Sequence, residues 1–411
     1  MVNTVAKLQE VSMKNQSETV IAGDDPMTFS TLWSRTDAFA GGLKANDITA
    51  GDHVAIRLSN PRTFLVAFYG TLRNGCVPVT IPSEFSDDDV VAALEETNGK
   101  AYVTDKTPFL AILHHADDVR LAITVDCDGG MGMDLPRFLD NDGINSAGSR
   151  TGIDVVDQGD TERGLVAYGG HTGGDPLGVV YSHSALLAAA RVGQTIASPD
   201  GPIGHLGSLP LSNPIELLYG ATAAILSGGQ YAAIFTGGRH YPRTSWDPET
   251  ASSLLNTGSA TRTFVTPAQY DTLRTPPADG GDIVVVAEPA AEPIEPPTDG
   301  SIHALGRPET GLTHVGSAVD SDPAETAGPL SAGERAPEVR TRVLDDQHGE
   351  ELAVSTPAAM DGYAGQPALT DELIETIDGD RWIRTGISVG DGGSVTPVED
   401  SPLAVLGRSH T

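Results

Sequence analysis

The chain has 411 residues, more than one ordinary hydrophobic core organises, so two or more packed lobes are expected. Its hydrophobic content of 39% describes a globular protein, and no apolar run is long enough to span a bilayer. Lys plus Arg number 25 against 56 Asp plus Glu, a net charge of −31, which argues against nucleic acid and anionic lipid as partners because both need cationic patches.

The acid is spread along the chain, and runs such as Asp87-Asp88-Asp89 read as solvated face. It reads either as an acidic interaction surface or as adaptation to a salt-rich cytoplasm in a halophile, where hydrated carboxylates keep a protein in solution. Lysine is confined to Lys7, Lys14, Lys44, Lys100 and Lys106. The opening MVNTVAKLQEVSMKNQSE lacks an apolar signal core, so a cytoplasmic protein is expected. Cys76 and Cys127 have no CxxC spacing and predict neither zinc site nor disulfide framework; Cys76, inside GCVPVTIP, reads as a small core residue. No HxxxH or HExxH pair suggests a metal site.

In chain order, Leu32, Phe39, Ala40 and Leu43 recur at helical spacing behind a Thr28/Ser30 cap. DHVAIRL predicts a strand, PRTFLVAFYGTLRNG a helix ending at Gly75, and CVPVTIP another strand. DDDVVAALEETNG predicts a short helix opened by acids and closed by glycine, which suits the helix dipole. AYVTD and LAITVD are short strands, and DQGDTERG reads as a linker. Beyond it HSALLAAARVGQTI predicts a helix, YGATAAILSGGQYAAIF a helix then a strand, and DIVVVAE a strand. Residues 273–300 and 317–337 are rich in Pro, Gly and acid and read as surface loops. From about 338 short alternating strands suit a small β-rich subdomain. The fold class expected is α/β: subdomains 1–160 and 161–330, a β-barrel-like piece over 331–405, and a truncated hinge at 406–411.

The sharpest local feature runs from Tyr168 through Gly169, Gly170, His171, Thr172, Gly173, Gly174, Asp175 and Pro176 to Gly178. Its glycines let backbone approach a ligand closely, and a turn of N–H groups can cradle phosphate. A helix capped by Ser182 or Ser184 follows. It is not a Walker A loop, because Asp175 stands where lysine is required.

This segment resembles the Tyr-Thr-Ser-Gly-Thr-Thr-Gly-x-Pro-Lys-Gly-Val loop of the adenylate-forming superfamily, which includes acyl-CoA synthetases, luciferases and peptide-synthetase adenylation domains. The similarity continues in order through DAFAGGLKANDITAGDHVAIRLSNPRTFLVAFYGTLRNGCVPVTIP, GSLPLSNPIELLYGATAAILSGGQ (the acyl-pocket helix region), HALGRPETG, AMDGYAGQPALTDELI, DRWIRTG and LAVLGRSH, the last resembling the hinge. The resemblance implies attack of a carboxylate on the α-phosphate of ATP with Mg2+, giving acyl-AMP, then transfer to a thiol such as CoA. That chemistry needs cations around phosphate, a grip on ribose, a stacking surface for adenine and a metal ligand.

Several positions that the resemblance assigns to those tasks carry other residues. Leu177 stands for the loop lysine, Leu305 for the adenine-stacking aromatic, Pro308 for a threonine and Ile387 for the ribose-binding aspartate. Gly169, Gly170 and Gly173 replace loop residues, leaving Thr172 as the loop hydroxyl. Ala287-Glu288-Pro289 replaces the stretch along adenine, and Asn213 the acyl-pocket histidine. Two handles match: Glu309 at the magnesium-binding glutamate, otherwise an ordinary loop acid, and Arg408 at the hinge arginine near ribose and phosphates, otherwise an exposed residue. Tyr168, His171 and His183 either line a retained cavity or serve structure alone. The family's small C-terminal domain would follow the hinge, so a separately encoded C-terminal-domain polypeptide or an active paralogue is the expected partner, with a small carboxylic acid as substrate. The cavity is expected where the glycine-rich loop, 286–290 and 305–309 converge.

Overall fold

The computed structural model describes residues 3–23, 25–107, 112, 114, 116, 118–127, 132–140, 155–172, 175–196, 201–233, 246–257, 260–273, 282–287, 302–317, 334–346, 349–389, 395–398, 401 and 403. Local signals place most elements. Thr28 caps helix Phe29–Ala45 by accepting from the Thr31 N–H, and Leu32, Phe39, Ala40 and Leu43 are all buried on it. Asn60 caps Pro61–Arg73, whose proline sits in the first turn where no N–H is missed. Ser86 and Asp89 form a capping box on Asp87–Thr97. That helix is closed by Asn98 in the left-handed region at φ 54°, not by the glycine expected there, since asparagine tolerates this conformation.

The first sheet has eight strands. His53–Arg57 lies between Val77–Thr80 and Ala101–Thr104, all parallel, with Leu121–Thr124 and Met133–Asp134 beyond. On the other side Arg163–Thr172 pairs in parallel with Val77–Thr80, and antiparallel with Asp175–Ser182, which in turn carries Gly362–Tyr363. The second sheet has nine strands; Gly204–Gly207 lies between Gln230–Ala233 and Arg262–Val265, followed outward by Asp282–Ala287, Ile302–Arg307 and Gly311–Ser317. Thr19–Ala22 joins this second sheet through Gln230–Ala233. Each large sheet therefore takes strands from both sides of residue 160, and pairing partners about two hundred residues apart leave no local trace in sequence.

The C-terminal β-rich segment forms a four-stranded antiparallel sheet, Arg340–Asp346, Gly349–Ser355, Asp380–Arg384 and Ile374–Ile377 in spatial order, with a two-stranded ladder of Ile387–Val389 and Val395–Pro397. No ladder closes it into a barrel among the described residues. A continuous apolar core runs from Val54 and Phe64 through Leu177 and Leu217 to Ile383 and Leu403, joining the sheets. Among the described residues no helix is long and apolar enough to cross a membrane.

Candidate functional site

The glycine-rich segment is a β-hairpin. Pairing continues from Leu165↔Tyr181 to Thr172↔Asp175, so the expected cradle is ladder almost to its tip; Gly173 and Gly174 lie outside the described residues. The register slips between Tyr168 and Gly170, a bulge that frees Gly169 from the ladder. Nothing crowds Gly169, where an added Cβ would meet open space. Gly178 is different. It faces Tyr168 across the ladder, and a Cβ there would lie 2.8 Å from the phenol Cζ, so the ring rests on bare backbone.

Tyr168 is fully buried, and its hydroxyl donates to the Glu96 carboxylate on helix Asp87–Thr97. Burial, reinforced by the Glu96 charge, holds the phenol well above its usual range, so it stays a donor. Its polar atom is thus committed within the first lobe. His183 opens helix His183–Thr195 behind the cap Ser182, which accepts from the Ala185 N–H. Its Nε2 lies 3.3 Å from Gln158 Oε1, and burial depresses its pKa, keeping the ring neutral. Gly170, His171 and Thr172 are placed as strand backbone, and Arg408 lies outside the described residues.

Glu309 is buried at 7% exposure in the turn between Ile302–Arg307 and Gly311–Ser317. Tyr363 donates its hydroxyl to Glu309 Oε1 at 2.8 Å, and the Met360 N–H donates to the Glu309 carbonyl. Tyr181, on the second strand of the hairpin, donates to the Pro308 carbonyl at 2.5 Å. The hairpin and the 305–309 turn are therefore brought together, bridged by two tyrosines that motif reading did not single out. Burial and the Glu309 carboxylate push both phenols well above their ordinary range. Ala287 pairs with Leu305 on the neighbouring strand, which places the end of Asp282–Ala287 beside the same turn.

Three of the positions read as substitutions are packed as core. Leu177 is 4% exposed, and Leu305 and Ile387 are each 1% exposed. Asn213 spends its side-chain oxygen on the Ile215 N–H at 2.9 Å, at the start of the π-helix Ile215–Thr222, whose wider turn the helical periodicity did not reveal. Arg384, just before the substituted Ile387, is held by Glu351 at 3.1 Å, and Glu351 also accepts from the Gly386 N–H and the Ser401 hydroxyl. Leu177, Leu305 and Ile387, at the positions that the resemblance assigns to a phosphate cation, an adenine platform and a ribose acceptor, are aliphatic and buried. Glu309 is the carboxylate on hand, and among the described residues no group of three or more His, Cys, Asp or Glu could hold a metal ion.

A second polar cluster lies behind the π-helix. His205, Glu216 and Arg262 are all fully buried, with His205 Nε2 3.0 Å from Glu216 Oε1 and Arg262 Nε 3.3 Å from His205 Nδ1. The Arg262 guanidinium also donates to the Gly193, Ile196 and Tyr219 carbonyls, closing the C-terminal end of helix His183–Thr195. Burial brings Arg262 down to about 10 and depresses His205 despite the adjacent glutamate. A signal did exist: single charged residues in the otherwise apolar or small-residue runs GHLG, IELLYG and TRTFV.

The family model for AMP-binding enzymes matches residues 8–364. Among curated relatives, a (7a-methyl-1,5-dioxo-octahydro-1H-inden-4-yl)propanoyl:CoA ligase of Rhodococcus jostii is 24% identical over 89% of this chain and 72% of its own length. A long-chain-fatty-acid–CoA ligase of Yersinia pestis is 25% identical over 88% of this chain and 69% of its own. The inhibitor-bound N-terminal domain of FACL13 from Mycobacterium tuberculosis superposes with a TM-score of 0.76 at 18% identity, covering 97% of this chain and 99% of that one. The order of motifs, the two parallel-rich sheets and this match over most of the chain lead to one conclusion: the chain belongs to the AMP-binding enzyme family and has the fold of an acyl-CoA synthetase N-terminal domain.

Proposed function

We propose that this chain is an acyl-CoA-synthetase-like protein inactive in ATP-dependent acyl adenylation on its own. The observation that carries the reading is the burial of Leu177, Leu305 and Ile387, where the family resemblance assigns a phosphate cation, an adenine platform and a ribose acceptor. Loss of one preorganised contact to developing charge removes about 3 kcal/mol of transition-state stabilisation. Three such losses leave no useful turnover. Such a chain acts as a binding or regulatory subunit, docking on an active paralogue.

A second reading, adenylation of a small carboxylic acid with ATP, Mg2+ and CoA, is favoured by Glu309. Its carboxylate is buried and oriented by Tyr363, and the sequence resemblance matches it to the family's magnesium-binding glutamate. Thermal unfolding with magnesium–ATP and with a non-hydrolysable acyl-AMP mimic separates the two. A ligand at a hundred times its Kd adds about 2.7 kcal/mol of stability. The expected result is no shift at millimolar nucleotide; a saturable shift that disappears in Glu309→Ala overturns the inactive reading.

A further inference from the structure

A cavity of about 310 Å3 lies between the N-terminal helix Thr4–Lys14, the later turns of His183–Thr195 and the short helix Ala223–Leu226. Its floor is apolar: Leu187, Ala190 and Leu226. Its rim carries Lys7, Arg191 and Gln194. The walls are tied together, since Gln194 donates to the Ala223 carbonyl at 3.2 Å. Arg191 follows His183 by eight residues, about 12 Å along the helix axis, so this cavity is separate from the hairpin site.

The charge around it reverses that of the chain. Glu10, the one acid on the lining, is held by Lys7 at 2.9 Å and Lys14 at 2.6 Å, and these two ammonium groups lower its pKa to about 2. The lining therefore carries two cations, Lys7 and Arg191, against one carboxylate already held by lysines, within a protein of net charge −31. Arg191 is exposed and has no ionic or hydrogen-bonding partner among the described residues. A guanidinium above an apolar floor suits an anion with a compact apolar body: the fork takes a carboxylate and the floor takes the hydrocarbon.

We propose that this cavity binds a small amphiphilic carboxylate, with Arg191 as the anion-binding residue, Lys7 as supporting charge, and Leu187, Ala190 and Leu226 as the apolar seat. The probe is octanoate, titrated calorimetrically into the full chain in about 0.1 M potassium chloride, where screening extends over about 10 Å. Saturable one-site binding is expected, at least tenfold weaker in Arg191→Glu, retained in Arg191→Lys and absent for octylamine. Equal affinity in Arg191→Glu overturns the proposal, as does failure of the unmodified chain to bind at millimolar octanoate. Binding lost in Glu309→Ala but kept in Arg191→Glu also overturns it, by placing the acid in the hairpin site instead. Neither result depends on ATP binding, so the failure of this proposal and of the inactive reading are separable.

Discussion

Leu177 in the glycine-rich hairpin, Leu305 and Ile387 are packed as aliphatic core, whereas behind the π-helix His205, Glu216 and Arg262 carry ionisable groups into full burial. Every Arg262 nitrogen has a partner supplied by the chain itself: His205 and the Gly193, Ile196 and Tyr219 carbonyls. A polar group at a ligand site lacks its partner until the ligand arrives, and pays desolvation in between. The buried Arg262 guanidinium has permanent partners instead. Glu309 fits the same rule, because Tyr363 satisfies it from within.

The largest expected effect tests the permanent network. Arg262→Ala strips the Gly193, Ile196 and Tyr219 carbonyls and His205 of their buried donor and should cost about 3–5 kcal/mol in urea unfolding. A loss below about 1 kcal/mol would show that the network does not hold the interior. Next comes an attempt to restore the other region. Leu177→Lys forces an unpaired ammonium into packed core, with an expected loss of about 2 kcal/mol or more and no magnesium–ATP shift. A stable variant that gains such a shift would erase the contrast.

The third test uses pH. Burial, with the Arg335 charge adding to it, brings the His314 pKa from 6.5 to about 4. The unfolded chain thus binds this proton at higher pH than the folded one, and stability falls as pH drops from about 6.5 through about 4, by at most about 1.4 kcal/mol per pH unit. His314→Gln should flatten the pH dependence of the urea midpoint over that window; an unchanged slope would remove His314 from the account. The smallest effect concerns the start of the π-helix. Asn213→Ala deletes the acceptor for the Ile215 N–H and should cost about 1 kcal/mol, read as a shift in the denaturation midpoint. If octanoate or nucleotide affinity moved instead of stability, Asn213 would face a ligand and not the backbone.

Much of the first lobe was legible because its signals are local. Thr28 caps the helix where the pattern placed it, PRTFLVAFYGTLRNG became Pro61–Arg73, and DHVAIRL and CVPVTIP became His53–Arg57 and Val77–Thr80. The glycine-rich segment was legible as a family marker but not as a hairpin, since composition does not reveal that Tyr168 will lie across Gly178. Glu309 was singled out from its motif; its partner Tyr363 was not, because it is 54 positions away in sequence. The charged cluster was missed for the same reason, its members falling in three segments that each look like ordinary core.

Sequence alone determined the family, the order of elements and the acidic character. Each of these is carried by residue identity, by period or by a cap a few residues long. Tertiary structure decided what the substituted positions became, which charges have permanent partners, and where a free arginine overhangs an apolar floor. Those outcomes depend on burial, which sums contacts between segments far apart in the chain and has no value until the fold has brought them together.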